Sequence, residues 1–76
     1  MGTPKNIVGS RVAKARRSHV RLTQDQLSAK LARAGVQIDR AGISKIENGM
    51  RGVSDFELKA LAKALAVPVD WLLGDR

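Results

Sequence analysis

The strongest folding signal in this sequence is the segment SDFELKALAKAL at residues 54–65. Ser54 and Glu57 are spaced as a capping box, in which each side chain bonds the backbone N–H of the other residue at a helix start. Apolar residues then recur at the spacing of a single helix face. They are Leu58, Leu61, Ala62 and Leu65. We therefore predict an amphipathic helix here, with its apolar stripe turned toward a core.

Two helices are predicted upstream from the same kind of signal. The first runs from Ile7 to about Arg17, because apolar residues fall on one face of it. They are Val8, Val12 and Ala15. The second begins after Thr23, which forms a capping box with Gln26, and its buried residues are Leu27 and Leu31. Gly35 is expected to stop it.

A third helix is predicted between the second helix and the capping box at Ser54. Asp39 is suited to cap its N-terminus, and Ile43 and Ile46 are its inward residues. Asn48 and Gly49 are expected to end it. The residues VQI before Asp39 form a connector.

The end of the chain and the composition complete an all-α prediction. Val67 and Pro68 interrupt the fourth helix, since proline disfavours helix at the residue before it and suits a first turn. The following VDWLL is a short fifth helix that Gly74 stops. One phenylalanine and one tryptophan in 76 residues leave an aliphatic core, which favours packed helices over a β-sandwich. We predict a flexible tail at residues 1–6 and one compact five-helix domain at residues 7–74.

Rare residue types exclude several classes of protein. The sequence has no cysteine and one histidine, so no disulfide, metal site or cofactor is expected. No apolar run approaches the ~18 residues that span a bilayer, and a signal peptide is absent. We expect a cytoplasmic protein without membrane association. Nothing in the sequence indicates an enzyme or a small-molecule substrate, because paired nucleophile and base, clustered carboxylates and phosphate-binding glycine loops are missing.

Positive charge is concentrated at the start of the chain. The formal net charge is +7, and residues 1–24 contain six lysines and arginines and no acidic residue before Asp25. Such a block suits a polyphosphate, since each neutralised phosphate releases counterions and strengthens binding. The alternative is a solvated basic face that only maintains solubility. Charge alone favours nucleic acid over that alternative.

Helices two and three together carry the sequence LTQDQLSAKLARAGVQIDRAGISKIENG. The blocks LTQDQLSAKL and ISKIENG, in this order, resemble the helix-turn-helix of the Cro/CI-type phage repressors and of the wider xenobiotic-response-element family of bacterial regulators. The C-terminal LAKALAVPVDWLL is similar to the last two helices of that family, so the resemblance covers residues 7–73. It implies a lambda-repressor-like five-helix domain whose third helix lies in the major groove of double-stranded DNA, usually as a two-fold dimer.

The resemblance implies which residues read DNA bases. If Ile43 and Ile46 face the core, the opposite side of helix three is mostly small or hydrogen-bonding. The implied base readers are Arg40, Ala41, Ser44 and Lys45. Arg40 is expected to pair bidentately with guanine, and Ala41 to touch a thymine methyl group. Ala41 and Gly42 would also remove bulk, so that the backbone approaches DNA closely.

Other matched positions imply contacts with the DNA backbone or a structural role. Gln24, at the N-terminus of helix two, matches the family residue that meets phosphate beside free amide groups. The loop after helix three supplies the remaining backbone contacts, which are Asn48, Gly49 and Arg51. Arg16 and Glu47 match a pair that forms a buried salt bridge between helices one and three.

Four further residues have less specific expectations. Lys14, Arg17 and Arg21 are expected to attract DNA without fixed contacts. Trp71 is expected to pack in the core or in a dimer interface rather than to stack on a base.

The sequence departs from the family pattern at two places. ARAGVQI joins helices two and three with about five residues more than a short turn, so either helix two is extended or the join is a loop. Whether Arg33 or Gln37 contacts DNA is open. RRSHVRL is one residue longer than the pattern, which leaves the partner of Glu47 open between Arg16 and Arg17.

The predicted function is sequence-specific binding of double-stranded DNA by a transcriptional regulator, in the manner of a repressor. A homodimer on a palindromic operator is expected, formed through the C-terminal helices around residues 67–73, and operator binding would place the protein at the nucleoid. Two alternatives remain open: an antitoxin that also holds a toxin, and a protein-interaction module that keeps the fold without reading DNA.

Overall fold

The computed structural model describes residues 7–74, and the tail predicted at residues 1–6 lies outside them. A π-helical segment, Ala15–His19, continues directly from α1. The five α-helices in chain order are α1 Ile7–Lys14, α2 Gln24–Arg33, α3 Arg40–Glu47, α4 Asp55–Leu65 and α5 Val69–Leu72. Within the described residues there is no strand. The all-α, five-helix prediction is confirmed.

The core lies where the apolar faces of the helices meet. The largest fully buried side chains are Val12, Leu27, Leu31, Ile43, Ile46, Leu61, Leu65 and Leu72. Burial of each leucine or isoleucine contributes about 1.5–3 kcal/mol relative to leaving it exposed. α3 packs against α1 and α2, while α4 packs against α2 and α5. α3 is therefore supported by two helices and keeps its opposite face for solvent.

The predicted helix starts are present as side-chain caps. The Thr23 hydroxyl accepts from the Gln26 backbone N–H at 3.0 Å, and the Gln26 side chain accepts from the Thr23 N–H at 2.8 Å. Ser54 and Glu57 form the same reciprocal pair at the start of α4. Asp39 Oδ1 accepts from the Gly42 N–H at 2.8 Å. Each cap satisfies backbone donors that the first turn leaves unpaired.

The connector before α3 is an anchored loop and not an extension of α2. Gly35, at φ +88°, follows α2 in the left-handed conformation that glycine adopts readily. The next N–H, that of Val36, donates to the Leu31 carbonyl at 2.9 Å and closes the helix end. Val36 and Ile38 are buried, and the Ser28 hydroxyl donates to the Ile38 carbonyl at 2.7 Å. The extra residues of the join thus form a fixed approach to α3.

The π-helical segment ends the first helix later than predicted. In it, the Val20 N–H donates to the Ala15 carbonyl five residues earlier, at 3.0 Å. This is the hydrogen bond of a π-helix, which is usually a single widened turn. The chain then reverses through Arg21, which has φ 54°. RRSHVRL thus spans most of this widened turn and the residues that follow it.

Candidate nucleic-acid interface

α3 presents a polar face to solvent. Ile43 and Ile46 are fully buried on its inner side. The outer residues follow the spacing i, i+1, i+4, i+5 and i+8, which is one continuous helix surface. They are Arg40, Ala41, Ser44, Lys45 and Asn48, all exposed except Ser44, which is half-buried. The structure thus brings the four predicted base readers onto one accessible face.

The amino end of α3 is free on its outer side. Arg40 Nη1 lies 3.6 Å from Asp25 Oδ2 of α2, and the two side chains are 68% and 70% exposed. An ion pair this exposed contributes little, because water and salt screen it. The Arg40 guanidinium is therefore available to a ligand at low cost.

The carboxyl end of α3 is held by one nearly buried carboxylate. Arg16 Nε donates to Glu47 Oε2 at 2.7 Å, and Nη2 donates to Oε1 at 3.0 Å. These side chains are only 11% and 6% exposed. Arg16 also donates through Nη1 to the Leu22 carbonyl at 3.0 Å. The partner of Glu47 is thus Arg16, while Arg17 is exposed.

The hydrogen-bond geometry of this pair favours the charged form of Arg16. The hydrogen bond to Glu47 raises the pKa of Arg16 above its usual value, and it outweighs burial, which lowers the pKa. A bidentate guanidinium–carboxylate pair is both strong and directional. It fixes the rotation of α3 relative to the π-helical segment.

Gln24 joins the same carboxylate. Its Nε2 donates to Glu47 Oε1 at 3.1 Å, so the side chain predicted to meet phosphate is positioned by Glu47. A side-chain amide carries two N–H donors. One donor therefore stays available at the N-terminus of α2.

Arg51 has a partner that the sequence reasoning missed. Its Nη2 donates to Glu57 Oε2 at 2.8 Å, and Nη1 donates to Oε1 at 3.1 Å and to the Gly52 carbonyl at 3.0 Å. Glu57 is also the capping-box residue of α4. The Arg51 hydrogen bond lowers the pKa of Glu57 and raises that of Arg51. No helical spacing rule reveals this pair, because a loop separates its members.

Asn48 and Gly49 follow at the end of α3. Asn48 Nδ2 donates to Ser44 Oγ at 3.4 Å, a long bond that places the amide beside a predicted base reader. Gly49 has φ +78°, and its N–H donates to the Ile46 carbonyl at 3.1 Å. Both residues are exposed.

A family model described as helix-turn-helix matches residues 12–72, which extends from α1 to α5. The chain belongs to the helix-turn-helix family of Cro/CI-type regulators. No curated protein and no solved structure matches it. This helix-turn-helix protein is a DNA-binding transcription regulator, and its partner is double-stranded DNA. The family is a regulatory one and is not typically enzymatic.

The glycine in the first turn of α3 has a packing reason inside this helix-turn-helix protein. A Cβ on Gly42 would lie 2.9 Å from Ile38 Cγ2 and 3.1 Å from Asp39 Oδ1. Both atoms belong to the connector and its cap. Gly42 therefore makes room for the connector beside the first turn of α3.

Trp71 lies at the C-terminal end of the helix-turn-helix domain and packs against the core. Arg11 covers its ring, with Cζ 4.8 Å from the ring centroid, and donates through Nη1 to the Trp71 carbonyl at 2.9 Å. A guanidinium over an indole is a favourable cation–π arrangement. The sequence reasoning missed this contact, which ties α1 to α5.

Two further findings concern residues 7–74. None of their helices has the length and apolar character needed to cross a membrane. No group of three or more His, Cys, Asp or Glu side chains in this range is arranged to hold a metal ion.

Proposed function

We propose that this protein recognises a specific DNA sequence by placing α3 in the major groove. The observation that carries the proposal is that α3 has an accessible polar face, while its opposite, apolar face is fully buried in the core. A helix held in this way presents its outer side chains in a fixed orientation, as direct readout requires.

Each predicted contact has a proposed role. Arg40 pairs bidentately with guanine, Ala41 touches a thymine methyl group, and Ser44 and Lys45 bond base edges one turn later. Contacts with the phosphate backbone position the protein on the duplex. They come from Gln24, Asn48, Gly49 and Arg51. Arg51 shares its guanidinium between Glu57 and phosphate, since a guanidinium has five N–H donors.

Selection from random-sequence DNA, followed by electrophoretic mobility shift, tests this function. The Arg40→Ala variant should bind the recovered motif about 5- to 150-fold more weakly than the wild type. This loss corresponds to one bidentate base contact at roughly 1–3 kcal/mol. Lys63→Ala is the matched control, because it removes the same charge from an exposed position on α4. If no motif is enriched, or if both variants lose affinity equally, specific readout by α3 is wrong.

We further propose a homodimer that represses transcription from a palindromic operator. Ile7 and Leu73 are 42% and 44% exposed. Ile7 lies against Gly74, where an added Cβ would be 2.9 Å from Ile7 Cγ2. These residues form an apolar patch where α1 begins and α5 ends, and association of two copies would cover it.

Sedimentation equilibrium of Leu73→Glu tests the dimer. We expect a monomer, whereas Phe56→Glu at the start of α4 should leave the dimer intact. The opposite result would move the interface to Phe56 and Met50, which are 67% and 74% exposed. Repression is tested by placing the selected motif in a promoter, where expression should fall with the wild-type protein and not with Arg40→Ala.

A further inference from the structure

The arginines between residues 11 and 21 differ in their partners in the folded protein. Arg11 covers the Trp71 ring, and Arg16 is bound to Glu47. Arg17 and Arg21 are exposed, and neither side chain has a hydrogen-bonding or ion-pairing partner within residues 7–74. Two neighbouring guanidinium groups are therefore available to bind a ligand.

An open groove runs beside these two arginines. Its lining residues are Arg16, Arg17, Ser18, Arg21, Leu22 and Thr23. A second groove shares Arg16 and Thr23 with it and continues past Gln24 and Asp25 to Arg40. One continuous surface therefore connects the π-helical segment to the first turn of α3.

The charge of this surface favours a polyanion. Arg17 and Arg21 stand at one end and Arg40 at the other. Asp25 is the single acidic residue that lines either groove within the described chain. Its side chain is mostly exposed and lies beside Arg40. The end formed by the two arginines is therefore purely cationic.

The local backbone adds a second observation. Arg21 has φ 54°, where glycine or asparagine is easier to accommodate than arginine. The widened turn before it spaces Arg17 and Arg21 around the same groove. A costly backbone position is thus occupied by a long cationic side chain that has no hydrogen bond or ion pair within residues 7–74.

We propose that Arg17 and Arg21 bind phosphates of the DNA strand that borders the groove read by α3. Arg17 in the π-helical segment and Arg21 after it then form a backbone clamp, in addition to the contacts at Gln24 and after α3. This inference rests on the proposed function, because it assumes that α3 faces the duplex.

A salt titration of the double variant Arg17→Gln/Arg21→Asn tests the clamp. Asparagine suits the left-handed conformation at position 21, so the fold is preserved. Loss of two phosphate contacts should reduce the slope of log affinity against log salt by about 1.8, at roughly 0.9 per phosphate. Affinity would then fall about tenfold less than in the wild type between 50 and 200 mM salt.

The control is Lys59→Gln/Lys63→Gln, which removes the same charge from exposed positions on α4. Its slope should stay close to that of the wild type, and both double variants should keep the wild-type melting temperature. Equal slope changes in the two double variants would overturn the clamp and reduce Arg17 and Arg21 to general attraction.

Both titrations use the selected duplex and an unrelated duplex of the same length. If selection recovers no motif, only the proposed sequence-specific readout is contradicted. The salt dependence measured on the unrelated duplex still tests the phosphate contacts of Arg17 and Arg21. Duplexes with single methylphosphonate substitutions complete the test. At the phosphates that Arg17 and Arg21 bind, neutralisation should weaken binding by the wild type and have no effect on the Arg17→Gln/Arg21→Asn variant. If the wild type and the variant are weakened by the same set of substituted phosphates, the proposal is contradicted.

Discussion

The two ends of α3 are held by different kinds of interaction. At the carboxyl end, Glu47 is nearly buried and accepts from Arg16 and Gln24, so residues from three parts of the chain meet at one carboxylate. At the amino end, Asp39 makes a local cap, and Arg40 lies 3.6 Å from the exposed carboxylate of Asp25.

This difference separates orientation from recognition. A buried, bidentate pair fixes the rotation of the helix and costs much to break. An exposed pair costs little to break, so its members can exchange partners. The carboxyl end therefore sets the direction of the helix, and the amino end keeps its side chains free for DNA.

The largest expected effect is that of Glu47→Ala. Removal of the carboxylate leaves the Arg16 guanidinium poorly solvated and unpaired, which costs about 3–5 kcal/mol. The melting temperature should fall by at least about 12 °C, since 1 kcal/mol corresponds to roughly 4–8 °C in a domain of this size. Calorimetry or thermal circular dichroism measures this shift.

Asp25→Ala provides the comparison from the exposed pair. It should change the free energy of unfolding by less than about 1 kcal/mol. An unchanged melting temperature in Glu47→Ala, or equal effects of the two substitutions, would remove the distinction between the ends of α3.

Gly42→Ala tests the packing of the amino end. The added methyl group approaches Ile38 and the Asp39 cap. Overpacking costs roughly 1–3 kcal/mol and exceeds the ~1 kcal/mol gained in helix propensity. We expect a net loss of about 1 kcal/mol in chemical denaturation.

Gly52→Ala is the matched substitution at an open position. Beyond its two chain neighbours, no atom of residues 7–74 lies within 4 Å of the added Cβ, and the φ of Gly52 is outside the left-handed range. It should be neutral or stabilise the fold by up to about 1 kcal/mol. If Gly42→Ala is the more stable of the two variants, the connector does not restrict this turn.

The Arg51–Glu57 pair should show its contribution in the pH dependence of stability. The pKa of Glu57 is lowered from 4.5, so the pair stabilises the fold above that pH and loses its effect as the pH falls through the lowered value. Arg51→Gln should cost about 1 kcal/mol at neutral pH, given the partial exposure of both side chains.

Unfolding of the wild type and of Arg51→Gln, measured at descending pH, should show this difference shrinking below pH 4.5. Arg33→Gln removes an exposed charge on α2 and should show no such pH dependence. A difference for Arg51→Gln that stays constant down to acid pH would mean that Glu57 is not coupled to Arg51.

The smallest expected effect is that of Asp25→Asn on DNA binding. The carboxylate competes with DNA for Arg40. Its removal should strengthen binding at low salt by about twofold, or roughly 0.5 kcal/mol. The gain should vanish in an Arg40→Ala background and diminish as salt rises. A gain that persists without Arg40 would show that Asp25 acts on DNA directly.

Much of the fold could be predicted because its determinants are local. Capping at Thr23, Asp39 and Ser54 depends on residues three positions apart, and burial of Ile43 and Ile46 follows from helical spacing. Arg16–Glu47 was predicted only through family resemblance, since the spacing of its members in the sequence carries no signal.

The remaining features depend on how loops bring distant residues together. The Arg51–Glu57 pair requires the path of the α3–α4 loop, and the contact of Gly42 with Ile38 requires that of the connector. The packing role of Gly42 could not be predicted from the sequence, because the atom that an added Cβ would meet belongs to the connector. The DNA contacts themselves remain predictions.

The π-helical segment also has a consequence for how this chain tolerates changes in length. Each residue added within an α-helix rotates everything beyond it by about 100°. A widened turn absorbs one additional residue without passing that rotation on. At the π-helical segment, one residue can therefore be inserted without changing the alignment of the helices on either side.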